Sequence, residues 1–372
     1  MPAPEHVLLN ALFLDPGGSG GPETYLRGLV PALRSEFPGT RFEVATTRAG
    51  AAALRADGWR DVIPLPCDEG QRAHRAFAEL VLLPRVARRA GAQVLHDLAS
   101  TGPRRTPGVA HVVTLHDVTF FREATFNPIT TFGMRRMVTG AARDADALIT
   151  AAAAARDEIA ATLHLDPARF TIVHHGAGRT DPVEPADEDT VRARYQLPRE
   201  SRVVLCVASK RPHKNQELLI RALARLPESA VLVLAGHPEP YDARLRALAD
   251  ETGVAGRVRF ADYVPDDDLE ALWRIAAVAA FPTRAEGFGL PVVEALARGV
   301  PVACSDIPVL REVGGGHVRT FPPDDPDTAA RALAAAMDEP FDAAAARAWA
   351  GRFTWEAAAR ATFEVYERCT PA

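Results

Sequence analysis

Glu286-Gly287-Phe288-Gly289-Leu290-Pro291-Val292-Val293-Glu294 sets two carboxylates around a glycine-bearing turn that runs into a helix. Gly287 and Gly289 can take backbone angles closed to other residues, and neither puts a side chain in a ligand's way. Pro291 suits a first helical turn and Gly299 a helix end, so a helix is predicted over 291–298. The amides of Gly287, Phe288, Gly289 and Leu290 then lie at or just before its positive end, where an anion or a hydroxyl cluster is held. Glu286 precedes the turn and Glu294 sits about one turn into the helix, so both can face one ligand, one at each end. Each carboxylate can accept two hydrogen bonds from a vicinal diol. The alternative is a surface pair on an ordinary loop and helix. Apolar runs at Val278–Phe281 and Pro301–Ser305 flank the segment, giving strand, loop, helix and strand in succession.

The same alternation extends in both directions. Upstream, strand-like runs at His6–Leu14, Phe42–Thr46, Val94–His96, Val109–His116 and Ala147–Ala151 alternate with helical stretches, the first over Glu23–Glu36. A second series contains Val203–Ala208, Ala230–Ala235, Val258–Phe260, Val278–Phe281 and Pro301–Ser305. Such alternation predicts α/β architecture with parallel sheets covered by helices on both faces. Pro182, Glu184, Pro185, Asp187, Glu188 and Asp189 form a polar stretch suited to a linker. The expected division is a first domain over 1–180, a linker over 181–198, a second domain over 199–350 and helical residues over 351–372. In doubly wound domains, ligands bind beyond the carboxyl ends of the strands.

The run from Glu286 to Val313 resembles glycosyltransferase family 4, whose signature is a glutamate, seven residues and a second glutamate. The likeness covers nearly the whole chain, with segments similar to the mannosyltransferase-like branch that builds bacterial polysaccharides. It implies the GT-B fold: two Rossmann-like doubly wound domains facing across a cleft, the first on the acceptor side and the second binding the nucleotide sugar. The last helix is implied to cross back to the first domain. In that family the first glutamate and the amides after it hold the transferred sugar, and the second glutamate holds the ribose. Those roles fall here on Glu286, Gly287, Phe288, Gly289 and Leu290, and on Glu294.

Only two lysines occur among 43 basic residues, Lys210 and Lys214. Lysine's compact ammonium is not reproduced by arginine's planar fork, so at least one is expected to bind phosphate. They lie in Ser209-Lys210-Arg211-Pro212-His213-Lys214-Asn215, after a predicted strand and before a helix, where a solvated basic turn is the bland reading. The resemblance implies that this loop supplies an Arg/Lys pair to the nucleotide diphosphate. Lys214 matches the family's lysine, His213 stands where this branch usually has arginine, and Lys210 and Arg211 remain alternatives for the second cation. Asp15 to Glu23 is glycine-rich and follows the first strand. It is either a flexible turn or, as the family's first loop implies, a donor contact best matched by Gly20 and Gly21, with the extra Gly17-Gly18 leaving the register open. His116-Asp117 ends a strongly apolar strand. Alone it reads as a structural histidine, whereas the resemblance places His116 beside the transferred sugar, with Asp117 orienting the imidazole or capping the next turn. Val264, beside Tyr263, is implied to wall the nucleotide base. His174-His175-Gly176-Ala177-Gly178 departs from the family's usual Asn-Gly-Val-Asp, and Thr283 from its serine.

With 47% hydrophobic residues in 372, the chain can bury two sizeable cores. Cys67, Cys206, Cys304 and Cys369 lack metal-ligand spacing and are expected to be reduced. Asp187-Glu188-Asp189 and Asp266-Asp267-Asp268 read as polar loop and helix N-cap rather than as a metal site. No cofactor is expected. A net charge of −5 without aromatic and basic interleaving argues against nucleic acid. Residues 1–145 carry 17 basic and 14 acidic groups. The excess gathers over 72–105, either as a solvated face or as a weak contact with an anionic membrane. With no long apolar run and no signal-like start, a cytoplasmic protein is expected, at most peripheral to the inner membrane face. The leading functional expectation is retaining, metal-independent transfer of a hexose from a UDP, GDP or dTDP sugar to a hydroxyl acceptor, with His116, Lys214 and Glu286 as catalytic groups. The competing readings are a nucleotide-sugar epimerase of the same fold and a catalytically silent nucleotide-sugar-binding protein.

Overall fold

The computed structural model describes residues 3–16, 20–67, 72–122, 128–178 and 183–370. The chain forms two compact units, Met1–Arg179 with Phe353–Ala372, and Thr180–Arg352.

The first unit contains β1 (His6–Ala11), β2 (Arg41–Thr46), β3 (Val62–Pro64), β4 (Val94–Asp97), β5 (Ala110–Thr114), β6 (Ala147–Thr150) and β7 (Phe170–Ile172), all parallel, in the order β3-β2-β1-β4-β5-β6-β7. The second contains β8 (Arg202–Val207), β9 (Ala230–Ala235), β10 (Val258–Ala261), β11 (Ala276–Phe281), β12 (Val302–Ser305) and β13 (Val318–Phe321), also parallel, in the order β10-β9-β8-β11-β12-β13. Each sheet therefore reverses its strand order once, between β1 and β4 and between β8 and β11. Strands buried on both faces read as continuous apolar runs, and β1 and β9 are buried at every position. β3, β7 and β13 are short sheet edges with partly exposed residues, and β3 ends in Pro64. Their brevity and mixed exposure conceal them from a reading based on apolar runs.

The chain's final helix, Trp355–Cys369, packs in the first unit against the helix Gly21–Glu36. Its first residue requires two glycines. A Cβ at Gly28 would lie 2.0 Å from the Trp355 ring, and one at Gly176 would lie 2.5 Å from it. The indole Nε1 donates to the Gly178 carbonyl at 2.9 Å. Further along, Phe363 stacks on Phe37 at 3.7 Å.

A buried polar network joins the carboxyl ends of β1 and β4 to the beginning of β5. Asn10 Nδ2 donates to Asp97 Oδ1 at 2.8 Å, and His111 Nε2 lies 2.5 Å from Asp97 Oδ2. Glu79 sits on a π-helical turn, Ala78–Leu82, is 1% exposed, and accepts from Thr101 Oγ1 at 3.1 Å. Burial pushes its carboxyl up to about 7 and Asp97 adds to the rise, against the opposing pull of Arg75 and Thr101. A folded pKa above the unfolded one means stability present below the unfolded value and lost as pH rises through the folded value. Between pH 4.5 and about 7, the wild type should therefore lose about 3 kcal/mol relative to Glu79→Gln. Urea unfolding across that range measures it, and a pH-independent difference would contradict it.

Two acidic runs have helix-start roles. Asp187 caps Glu188–Arg194 by accepting from the Thr190 amide, so part of the segment read as a linker is helical; residues 181–182 lie outside the described residues. The expectation for Asp266–Asp268 needs correction: Pro265 is the N-cap, and the three aspartates form the first turn, where the helix dipole favours them. Asp268 is fully buried and accepts from Arg194 and Tyr195, tying two helices together.

Candidate active site

The loops after β8 and β11 leave neighbouring strands where the second sheet reverses its order, the position at which such sheets take ligands. The first passes through a short 3-10 turn, Pro212–Lys214, to Asn215, whose φ of 56° is left-handed, and then enters the helix Gln216–Leu223. The second reaches Gly289, with φ 90°, and enters the helix Leu290–Arg298, which ends at Gly299 with φ 73°. Gly289 is required twice over, since its backbone is left-handed and a Cβ would lie 2.6 Å from Leu310 Cδ2.

Hydrogen bonds bind the two loops into one body. Asn215 Nδ2 donates to the carbonyls of Pro282 at 2.9 Å and Pro323 at 2.6 Å. The Arg284 amide donates to the His213 carbonyl at 2.8 Å. The hydroxyl of Thr283, buried, has one proton to share between His213 O at 3.2 Å and Ala285 O at 2.8 Å. The result is a Lys214 Nζ to Glu286 Oε1 contact of 2.5 Å, with both side chains about one-fifth exposed. Lys214, Glu286 and the segment Gly287 to Leu290 are thus brought together. Asn215 and Arg284 were not singled out from the sequence; an Asn directly before a helix, able to take the left-handed conformation, was the available signal.

The two lysines differ sharply in setting. Lys210 is fully enclosed. Its Nζ donates to the Gly236 carbonyl at 2.5 Å and lies 3.4 Å from Asp262 Oδ1 and 4.0 Å from Asp242 Oδ1. Gly236 itself approaches so closely that a Cβ would lie 2.2 Å from Ala208 O. Lys210 is therefore a clasp between the ends of β8, β9 and β10, and its donors are directed at protein oxygens. Arg211 is the exposed cation of the loop, with Nε 2.8 Å and Nη2 2.7 Å from Glu239 Oε1. The Ser209 carbonyl accepts from Gln216 Nε2 at 3.0 Å.

Glu294 is half-buried on its helix. Desolvation raises its carboxyl above the ordinary range; Arg298 counters this and Glu270 adds to it. Val264 is half-buried beyond β10, and Tyr263 beside it is exposed, with its ring 5.8 Å from that of His237.

In the first unit, Gly20 heads the helix Gly21–Glu36 with a left-handed φ of 59° and open space where a Cβ would be. Gly17, Gly18 and Ser19 lie outside the described residues. His116 follows β5 and its Nε2 donates to the Leu98 carbonyl at 2.8 Å, which leaves Nδ1 as the acceptor. Burial pushes its pKa down, favouring the neutral ring. Tyr25 and His175 stand edge-on to it at 5.1 and 5.4 Å. His175 also packs beside Trp355, which gives the His-His-Gly departure from the family pattern a packing role. Asp117 accepts from the Thr119 amide at 2.8 Å, capping the next turn.

The basic region contains the helix Arg72–Phe77, the π turn and the helix Leu83–Ala90. Phe77 and Leu80 are exposed, and Arg85, Arg88 and Arg89 line a shallow concavity. Among the described residues no helix is long and apolar enough to cross a membrane, and no group of three His, Cys, Asp or Glu side chains is placed to hold a metal.

The chain thus has two parallel doubly wound units, the second with a cation and a carboxylate joined at its switch point. Profiles for glycosyltransferase family 4 and for glycosyl transferases group 1 match residues 19–177 and 187–352. The O-antigen chain mannosyltransferase B of Escherichia coli is 31% identical over 267 residues, 69% of this chain and 70% of that protein. The D-inositol 3-phosphate glycosyltransferase of Mycobacterium avium is 32% identical over 65% of this chain but only 58% of its own length. The sucrose-phosphate synthase structure from Thermosynechococcus elongatus superposes with a TM-score of 0.78 over 98% of both chains at 20% identity. The chain belongs to glycosyltransferase family 4 and has the GT-B fold.

Proposed function

We propose that this chain moves a hexose from a nucleoside diphosphate sugar to a hydroxyl of a glycan, lipid-linked or natural-product acceptor, with retention of anomeric configuration. The observation that carries this reading is the Lys214 to Glu286 contact at the β8/β11 switch point, directly before the amino end of Leu290–Arg298. Cleavage of the anomeric bond places negative charge on the departing diphosphate. Lys214, Arg211 released from Glu239, and the amides of Gly287 to Leu290 meet that charge, so the reading calls for no divalent ion. Glu286 takes the sugar's hydroxyls, Glu294 the ribose, and Val264 with Tyr263 the base. His116 presents Nδ1 as an acceptor to a hydroxyl of donor or acceptor. Between the two cations left open by sequence, Arg211 fits the diphosphate better than the enclosed Lys210.

The test is a thermal-shift screen across UDP-, GDP- and dTDP-sugars, followed by incubation of the stabilising donor with hydroxyl acceptors. At a hundredfold excess over Kd a donor should add about 2.7 kcal/mol of stability. No stabilisation by any of them, or conversion of the donor alone to an epimer, would sink the proposal.

We propose further that Phe77, Leu80, Arg85, Arg88 and Arg89 contact anionic lipid weakly, at the cytoplasmic face of a membrane. Apolar side chains beside basic ones suit a headgroup boundary. Co-sedimentation with vesicles containing phosphatidylglycerol should fall when Arg85 and Arg88 are changed to Glu. Equal sedimentation of variant and wild type would refute the contact.

A further inference from the structure

Glu294 and Arg298 stand four residues apart on the helix Leu290–Arg298, the spacing at which a carboxylate and a guanidinium ordinarily pair along a helix face. They do not pair here. Arg298 Nε donates to Glu270 Oε2 at 2.8 Å and Nη2 donates to Glu270 Oε1. Its Nη1 donates to the backbone carbonyl of Glu294 at 3.0 Å, and the guanidinium lies 5.6 Å from the Trp273 ring centre. Glu270 and Trp273 both belong to the neighbouring helix, Asp266–Ile275. A two-pronged pair reinforced by an aromatic face is stronger and more directional than a single-contact pair along a helix. Among the described residues, the Glu294 side chain accepts no hydrogen bond and joins no ion pair.

We infer that Glu270 is a positioning residue for nucleotide binding: by holding Arg298 in a two-pronged pair, it keeps the Glu294 carboxylate available to the ribose of a nucleoside diphosphate. The inference rests on the reading of Glu294 as the ribose acceptor. Without Glu270, Arg298 has one carboxylate within reach on its own helix face, four residues back, and would cover it. Glu270 thus acts without touching the nucleotide. The raised carboxyl of Glu294 fits this arrangement, because a directly paired carboxylate would be pulled down instead.

The full-length protein is titrated with UDP and with GDP, and the nucleotide that binds the wild type is carried forward. Glu270→Gln should weaken binding about tenfold, whereas inorganic pyrophosphate, which lacks the ribose, should bind as before. Adding Arg298→Met to Glu270→Gln should recover most of the loss, since the covering cation is gone. Wild-type affinity in Glu270→Gln, or a double variant as weak as the single one, would overturn the inference. A Glu294→Gln control separates the two levels. If that control binds nucleotide normally, the ribose reading fails and takes the inference with it. If it binds weakly while Glu270→Gln binds normally, only the inference fails.

Discussion

Lys214→Ala is expected to lower kcat/KM by about two to three orders of magnitude with the fold unchanged. The side chain is one-fifth exposed and, among the described residues, Glu286 is its one hydrogen-bond and ion-pair partner, so truncation removes little packing. On the proposed reading, what it removes is a fixed point charge at the place where the leaving diphosphate becomes more negative. It also leaves Glu286 without its cation, so the loss should fall mainly on kcat and only in part on KM. Lys214→Arg should restore the charge but not its placement, because a planar fork cannot occupy the position of a compact ammonium. Steady-state rates at varied donor concentration measure this directly. An alanine variant within about threefold of wild type would remove Lys214 from the reaction.

The second large effect concerns stability. Trp355→Ala should destabilise the first unit by about 3–5 kcal/mol. The indole fills the space left by Gly28 and Gly176, stands against the rings of His175 and Tyr25, and donates to Gly178 O. Alanine leaves a cavity that two glycines cannot fill, and strands the Gly178 carbonyl. For a unit of this size that corresponds to a fall in Tm of about 10 °C. Calorimetry resolves it, and a change below about 2 °C would show that the neighbouring chain collapses to fill the gap.

The strands that position the site were legible because burial on both faces leaves an uninterrupted apolar signal, as in β1 and β9. β3, β7 and β13 lack that signal, being short, partly exposed edges. At the site, Gly289 and Gly299 were legible from their neighbours, since a glycine flanking a helix suggests a left-handed residue, which both are. The partners of the charged side chains were not. Lys210 and Lys214 looked alike as two rare lysines in one loop, and the contacts of Lys210 with Gly236 O, Asp242 and Asp262 separate an enclosed clasp from an accessible cation. Arg211 meets Glu239, and Arg298 meets Glu270, across separations that local spacing does not encode. Helix spacing alone would pair Arg298 with Glu294, and tertiary packing joins it to Glu270 instead.

The enclosure of Lys210 also makes the protein unusually simple for amine-directed chemistry. Lysine occurs twice in the chain, and one copy is shut away from solvent. Apart from the amino terminus, an acylating reagent therefore meets one side-chain amine, and it is the one paired with Glu286. Protection of that amine from the reagent by a bound ligand would read occupancy of the site at a single, chemically defined address.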